Sequence, residues 1–310
     1  MSSLSLSADW AGKDSESLLW LASYPRSGNT FTRILLANYF NAGSDAYDIN
    51  ELHDFLPPDT SSRLWRRTYP EDSAPNTPEL TWSLRPDFIR HYRKADKPFL
   101  FSGLKTHTAN LTAFGSSGFD LRGNDRVIYI VRHPLDVVLS YSDFNNRGLE
   151  SAIDVLCQSG VFVKRDYVGG FELRGSWAEH VLSWIEKPPC PLFLVRYEEL
   201  RLATAETLTA MLAFLGAPVD PERVRQAVEA SRFEAVQKQE AARTFNETPP
   251  DTRSGKFFRE GKILQWLREL TPEQAYKLAD GCAPALDRVG YTHPRDVYFD
   301  GRNAFKPINV

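Results

Sequence analysis

This sequence has few of the features that staple a small secreted chain or hold a structural metal. Only three cysteines, Cys157, Cys190 and Cys282, occur in 310 residues. They are too few and too scattered for a disulfide framework or a cysteine zinc site. There is no Cys-x-x-Cys and no His-x-x-x-His, and His53, His91, His133, His180 and His293 have no metal-ligand spacing. No metal is therefore expected. No apolar run reaches the roughly 18 residues that a bilayer span needs. The opening MSSLSLSADWAGKDSES is polar and has no basic-led apolar core, so it does not read as a signal peptide. A reducing cytoplasm is the default location. A basic surplus is also lacking. Lys and Arg total 37 against 40 Asp and Glu, a net charge of −3. That balance speaks against a general nucleic-acid or membrane-surface binder, while leaving room for a local anion site.

What is present describes a folded protein. A hydrophobic content of 42% with 12% aromatics excludes disorder. The length suits one α/β domain over residues 1–310, with residues 1–16 as a flexible tail. Four short, continuous apolar runs stand out: LLWLAS (Leu18–Ser23), FLFSGLK (Phe99–Lys105), RVIYIVR (Arg126–Arg132) and LFLVRYE (Leu192–Glu198). Continuous apolar strands are buried on both faces, which points to a mainly parallel central sheet flanked by helices. Helical patterns lie between them. TFTRILLANYF spaces Phe31, Ile34 and Leu35 on one face, AETLTAMLAFLG ends at a capping Gly216, and Pro221 restarts a helix. A Pro-rich stretch from Asp54 to Arg85 reads as a long surface excursion. Arg147–Gly175, with five glycines, reads as an irregular lid or substrate wall.

Three segments carry chemistry. In LLWLASYPRSGNTFTRILL a buried strand runs through Arg26, Ser27, Gly28, Asn29 and Thr30 directly into a helix. Uncapped N–H groups and the positive end of the helix dipole would make this loop an anion cradle, with Arg26 adding charge. An ordinary strand-to-helix turn is the plainer alternative. It is not a Walker A loop, because no first glycine stands in place and no lysine follows Gly28. In RVIYIVRHPLDVVLSYSDF, Arg132 ends a strand, Pro134 and Asp136 suit the first turn of a helix, and Asp136, Ser140 and Phe144 share one face. The plainer reading pairs Arg132 with a surface acid and bonds Ser140 to its own helix. In FLFSGLKTHTANL, Lys105 and His107 stand two apart at the end of a strand, where a neutral His can remove a proton and a Lys can neutralise a leaving oxygen.

Taken together these segments resemble the cytosolic-type sulfotransferases that use 3′-phosphoadenylyl sulfate (PAPS). SYPRSGNTFTR is similar to the family's 5′-phosphosulfate loop and RHPLDVVLSYSDF to its 3′-phosphate segment. LKTH is similar to the segment bearing the catalytic histidine, and FFREGKILQW to the carboxy-terminal RKGxxGDW loop. The four occur in the family's order over residues 20–266. The resemblance implies a P-loop-like nucleotide-binding core. Arg26, Ser27, Gly28, Asn29 and Thr30 would hold the 5′-phosphosulfate. Arg132 and Ser140, with Arg259 and Gly261, would hold the 3′-phosphate. Phe31, Tyr197, Ser231 and Phe233 would line the adenine. His107 would be the general base, with Lys105 and Arg26 on the leaving phosphate, and the partner a small-molecule acceptor of the sulfuryl group.

The chain departs from the family pattern in places. Arg26 stands where lysine is usual, and Glu260 replaces the lysine of RKG. No convincing copy of the family's dimerisation motif is present, which leaves oligomeric state open. Without the resemblance, Tyr197 and Phe233 read as core residues and Arg259 as a solvated charge. Two rival functions remain at this level: a small-molecule or nucleotide kinase, and a non-catalytic nucleotide-binding relative. The missing Walker lysine weighs against the first, and Lys105-Thr106-His107 against the second. The acceptor pocket is expected to draw on Asn50–Arg90 with Trp65 and Trp82, on Tyr141 and Phe144, and on Arg147–Gly175.

Overall fold

The computed structural model describes residues 16–41, 45–70, 73, 75–95, 102–164, 170–186, 188–299 and 305–307. Except for Glu16, the expected amino-terminal tail lies outside these residues, as do Phe99–Phe101 of the second expected strand. Four parallel strands make the central sheet: β1 (Leu19–Ser23), β2 (Gly103–Thr106), β3 (Arg126–Val131) and β4 (Leu192–Arg196). Their order is β2-β1-β3-β4. The apolar runs are continuous because both faces of the sheet are covered. Trp20, Ala22, Val127 and Tyr129 enter one core, while Leu19, Leu21, Ile128 and Ile130 enter the other.

Helix α1 (Asn29–Phe40) follows β1 and packs its Ile34, Leu35 and Leu36 into the second core. Helix α2 (Pro78–Lys94) sends Phe88 and Ile89 into the first. Helix α3 (Pro134–Phe144) follows β3 with Pro134 in its first turn, as its sequence suggested. Gly216 takes a left-handed φ of 64° just past the helix Thr204–Phe214, and Pro221 opens the next.

Two expectations are corrected. The segment 54–85 is no mere surface excursion: it contains the helix Ser62–Thr68 and the start of α2, with Trp65 and Trp82 buried. Trp65 stacks on Phe88 at 4.4 Å, so burial of large aromatic area overrides the Pro-rich composition. Likewise 147–175 holds a helix, Leu149–Cys157, and a hairpin pairing Phe162–Lys164 with Phe171–Leu173. Residues 165–169 between those strands lie outside the described set.

The edge of the sheet away from the cavity is fastened by Asp125. Its buried carboxylate accepts both Arg93 Nη1 and Nη2 at 2.6 Å, together with the N–H groups of Leu18 and Arg122. Removing one partner of such a buried pair leaves the other charge uncompensated. Asp125→Ala should lower the unfolding free energy by about 3–5 kcal/mol. A urea titration reads this, and a loss below about 1 kcal/mol, the level of a surface pair, would contradict it.

Candidate active site

In the order β2-β1-β3-β4, the chain passes from β1 to one neighbour, β2, and then crosses back to β3 on the other side of β1; ligands of open parallel sheets sit at the carboxyl ends beside such a reversal. A cavity of about 680 Å³ lies there. It is lined by residues following all four strands, including Arg26, His107, Arg132 and Tyr197.

The loop after β1 is built tightly. Arg26 has a φ of 68° and Gly28 a φ of 105°. The first is a left-handed, non-glycine conformation of the kind that collects at functional sites. A Cβ on Gly28 would lie 2.5 Å from the Tyr197 ring, so only glycine fits between the loop and that ring. No side chain caps α1, which leaves its first N–H groups to the cavity. Ser27 is fully buried, with its Oγ unpartnered, and does not line the cavity. The Asn29 side chain turns back into the fold, donating to Leu21 O at 3.0 Å, while the residue still lines the cavity. Thr30 lines the cavity, and its Oγ1 accepts from Arg33.

Arg26 is folded over the cavity. Its Nε donates to Ser140 Oγ at 3.0 Å and its Nη2 to Phe257 O at 3.1 Å, and its guanidinium lies over the rings of Phe144 and Phe257. Ser140 therefore pairs outside its own helix. Burial, then neighbouring Arg132, lowers Arg26 to about 10. Arg132 lies over the Tyr197 ring at 4.5 Å and donates to Lys262 O at 2.9 Å, while its buried Nε has no partner. An unpaired, buried donor on a cation is the chemistry a phosphate oxygen would satisfy.

His107 opens to the cavity. Its Nδ1 donates to Ser23 O at 2.9 Å, because a carbonyl can only accept. That bond leaves Nε2 of the neutral ring as the basic atom. Burial first, then Lys105, holds its pKa well below the ordinary 6.5. The His107 carbonyl accepts His180 Nε2 at 3.2 Å, and His180 Nδ1 meets Tyr129 Oη at 2.8 Å. Lys105 lies 3.7 Å from Glu247, which also accepts Arg33 Nη2 at 2.7 Å. Burial raises the Glu247 carboxyl, but Arg33 and Lys105 outweigh it and bring it down to about 2.

The carboxy-terminal segment closes one wall. Gly261 has a φ of 62°, and a Cβ there would lie 2.6 Å from the Phe233 ring. Tyr197 Oη donates to Gly261 O at 3.2 Å. Asp136 accepts the N–H groups of Leu264 at 2.7 Å and Trp266 at 3.1 Å, so it registers this segment as well as starting α3. Glu260, the departure from RKG, pairs with Lys262 at 3.1 Å, and this offsets its negative charge. Phe31, Ser231, Phe233 and Arg259 also line the cavity, and Arg201 lies 5.5 Å over Phe31 and 5.6 Å over Phe233.

Of the acceptor-pocket expectations, Tyr141 and Phe144 line the cavity, whereas Trp65 and Trp82 are core. Glu172 and Arg174, within the expected Arg147–Gly175 wall, line it, and sequence reasoning missed Arg201 and Glu247, which line it as well. None of these lies in a recognisable motif. Among the described residues, no group of three or more His, Cys, Asp or Glu side chains could hold a metal. No helix among them is long and apolar enough to cross a membrane.

A strand–loop–helix turn with an uncapped helix start, a second cationic corner and a tautomerically fixed histidine thus share one cavity. A family model described as "Sulfotransferase domain" matches residues 16–290, and the chain belongs to that family. Flavonol 3-sulfotransferase of Flaveria bidentis is 24% identical over 281 residues, covering 84% of this chain and 78% of that one. A mouse sulfotransferase solved in complex with PAP matches with a TM-score of 0.53 at 19% identity, over 91% of this chain and 89% of its own. Retinol dehydratase, solved with retinol and PAP, matches with a TM-score of 0.55 at 16% identity, over 90% and 84%. These structural likenesses establish a shared fold.

The buried imidazoles give a pH prediction. Burial lowers His133 to about 4 and His180 to about 3. Both sit below the unfolded value near 6.5, so the stability they carry is complete above that pH and is lost as pH falls towards the folded values. In a histidine NMR titration from pH 8 to 5, both rings should stay at their neutral shifts. A midpoint near 6.5 for either would contradict their burial as neutral groups.

Proposed function

We propose that this protein transfers a sulfuryl group from PAPS to a hydroxyl or amine of a small-molecule acceptor. Family membership supports the reaction class. The observation that carries the assignment of ends is the pairing of two cationic corners in one cavity: Arg26 with the uncapped end of α1, and Arg132 with its unpartnered Nε. A doubly anionic adenosine co-substrate matches that pairing, with its 5′-phosphosulfate on residues 26–30 and its 3′-phosphate on Arg132 and Ser140. Arg259 and Gly261 close over the second end. Phe31, Tyr197, Ser231 and Phe233 form the surface for the base.

Binding requires a rearrangement. Arg26 must exchange its bonds to Ser140 and Phe257 for phosphate oxygens, which frees Ser140 for the 3′ end. His107 Nε2 takes the acceptor proton, the acceptor oxygen or nitrogen forms its bond to sulfur, and the bond from sulfur to the 5′-phosphate oxygen breaks. Arg26 and Lys105 stabilise the charge that grows on that phosphate, an effect exerted in the transition state. Arg in place of lysine brings a planar fork in place of a point charge. Glu172, whose charge favours protonated His107, helps the ring hold the proton it has taken. The products are a sulfated acceptor and adenosine 3′,5′-bisphosphate.

Two variants test the assignment. His107→Ala should cut turnover by roughly 10²–10⁴, the usual cost of losing a general base, while bisphosphate binding persists. Near-normal turnover would remove His107 from that role. Arg132→Ala should weaken adenosine 3′,5′-bisphosphate far more than adenosine 5′-phosphate in calorimetry. Equal weakening of the two would refute its assignment to the 3′ end.

A further inference from the structure

Lys105 is clamped through its backbone, and its side chain is aimed by one carboxylate. Its N–H donates to Pro57 O at 2.9 Å, and its carbonyl accepts the Asp59 N–H at 3.0 Å. The ammonium sits on a flexible four-carbon stem, so this clamp does not fix where the charge points. Three carboxylates act on that charge: Glu247, Glu172 and Asp59. Asp59 is paired with Arg85, and Glu172 with Arg174. Among the described residues, Glu247 is the carboxylate within ion-pair distance of Lys105, at 3.7 Å.

Glu247 is itself held in place. Arg33 of α1 is fully buried, and its Nη2 donates to both Glu247 oxygens, at 2.8 and 2.7 Å. The same nitrogen reaches Thr30 Oγ1 at 3.3 Å, in the first turn of α1. The adjoining residue, Asn246, ties the chain to Asn50 by its N–H at 2.8 Å and its side-chain amide at 3.0 Å. A row of polar contacts thus runs Thr30, Arg33, Glu247, Lys105, from the start of α1 to the lysine two residues before His107.

The row answers a physical difficulty. Burial pushes Lys105 towards its neutral form, and Arg33 adds to that push, as does His107 once it holds a proton. A neutral amine offers no charge to a leaving phosphate. Glu247 is the largest influence in the opposite sense, ahead of Glu172 and Asp59. Arg33 in turn keeps the Glu247 carboxyl ionised and offsets the repulsion that a bare carboxylate would turn on an anionic co-substrate.

We propose that Glu247, anchored by Arg33, is the positioning residue of Lys105, keeping its ammonium charged and turned towards the phosphate that leaves sulfur. The inference rests on the sulfuryl-transfer reading and adds to it a residue that acts through Lys105. No bond is made or broken at Glu247.

Calorimetry on the full chain tests this without an acceptor. Adenosine 3′,5′-bisphosphate carries the 5′-phosphate that Lys105 meets, and adenosine 3′-phosphate lacks it. Between pH 7.5 and 9 the unaltered protein should lose less than about threefold in bisphosphate affinity, because Lys105 keeps its proton. In Glu247→Gln the ammonium loses its proton earlier, and bisphosphate affinity should fall by about tenfold over the same range, the scale of one charge-assisted bond. The affinity for adenosine 3′-phosphate should follow the same pH course in both proteins. A purely structural role for Glu247 would weaken both ligands alike and leave the pH course unchanged, and either result overturns the proposal. So does a tenfold fall already present in the unaltered protein. Should Glu247→Gln fail to fold, the double change Arg33→Leu with Glu247→Leu removes the pair and strands neither charge. It should show the same selective fall in bisphosphate affinity, reduced to about threefold because the opposing push of Arg33 is lost as well. Failure of the unaltered protein to bind bisphosphate at pH 7.5 is a separate result and would overturn the sulfuryl-transfer reading instead.

Discussion

The position of β1 between β2 and β3 governs everything at the cavity. All four strands are parallel, so their carboxyl ends share one edge, and the loop after β1 meets the ends of both neighbours. That adjacency lets Ser23 on β1 fix the tautomer of His107 beyond β2. It also brings Arg26 beyond β1 to Ser140 on the helix after β3. A histidine and two arginines remote in sequence become neighbours because strands pair, with no dedicated domain to hold them.

The close approach of Tyr197 to Gly28 is the second constraint. The ring lies where any Cβ on Gly28 would go, lies under the Arg132 guanidinium, and sends its hydroxyl to Gly261. One side chain thus braces the cradle, the second cationic corner and the carboxy-terminal segment. A core tyrosine with a satisfied hydroxyl and a cavity residue proved to be compatible descriptions of the same group.

Much of the fold was readable because the apolar runs are unbroken, and two-sided burial leaves that signature. The cradle, Arg132, His107 and Tyr197 were readable because each follows a strand within a few residues, where local sequence determines placement. The parts that escaped have a common cause. Trp65 and Trp82 lie in a Pro-rich stretch whose composition suggested a loop, yet stacking on Phe88 and close packing on Gly118 draw them into the core. Glu247 reaches the cavity through a tertiary contact, its pairing with Arg33 214 positions away. No local pattern encodes such partners.

The anchoring of Leu264 and Trp266 to Asp136 has a consequence for biosynthesis. Those bonds span 128 and 130 residues, and the Arg26 contact to Phe257 spans 231. A chain emerging from the ribosome can therefore pair its first three strands long before the cavity has its last wall. Loop-closure entropy makes such distant contacts late events in folding. The nucleotide surface is therefore complete only once the carboxy-terminal segment has docked.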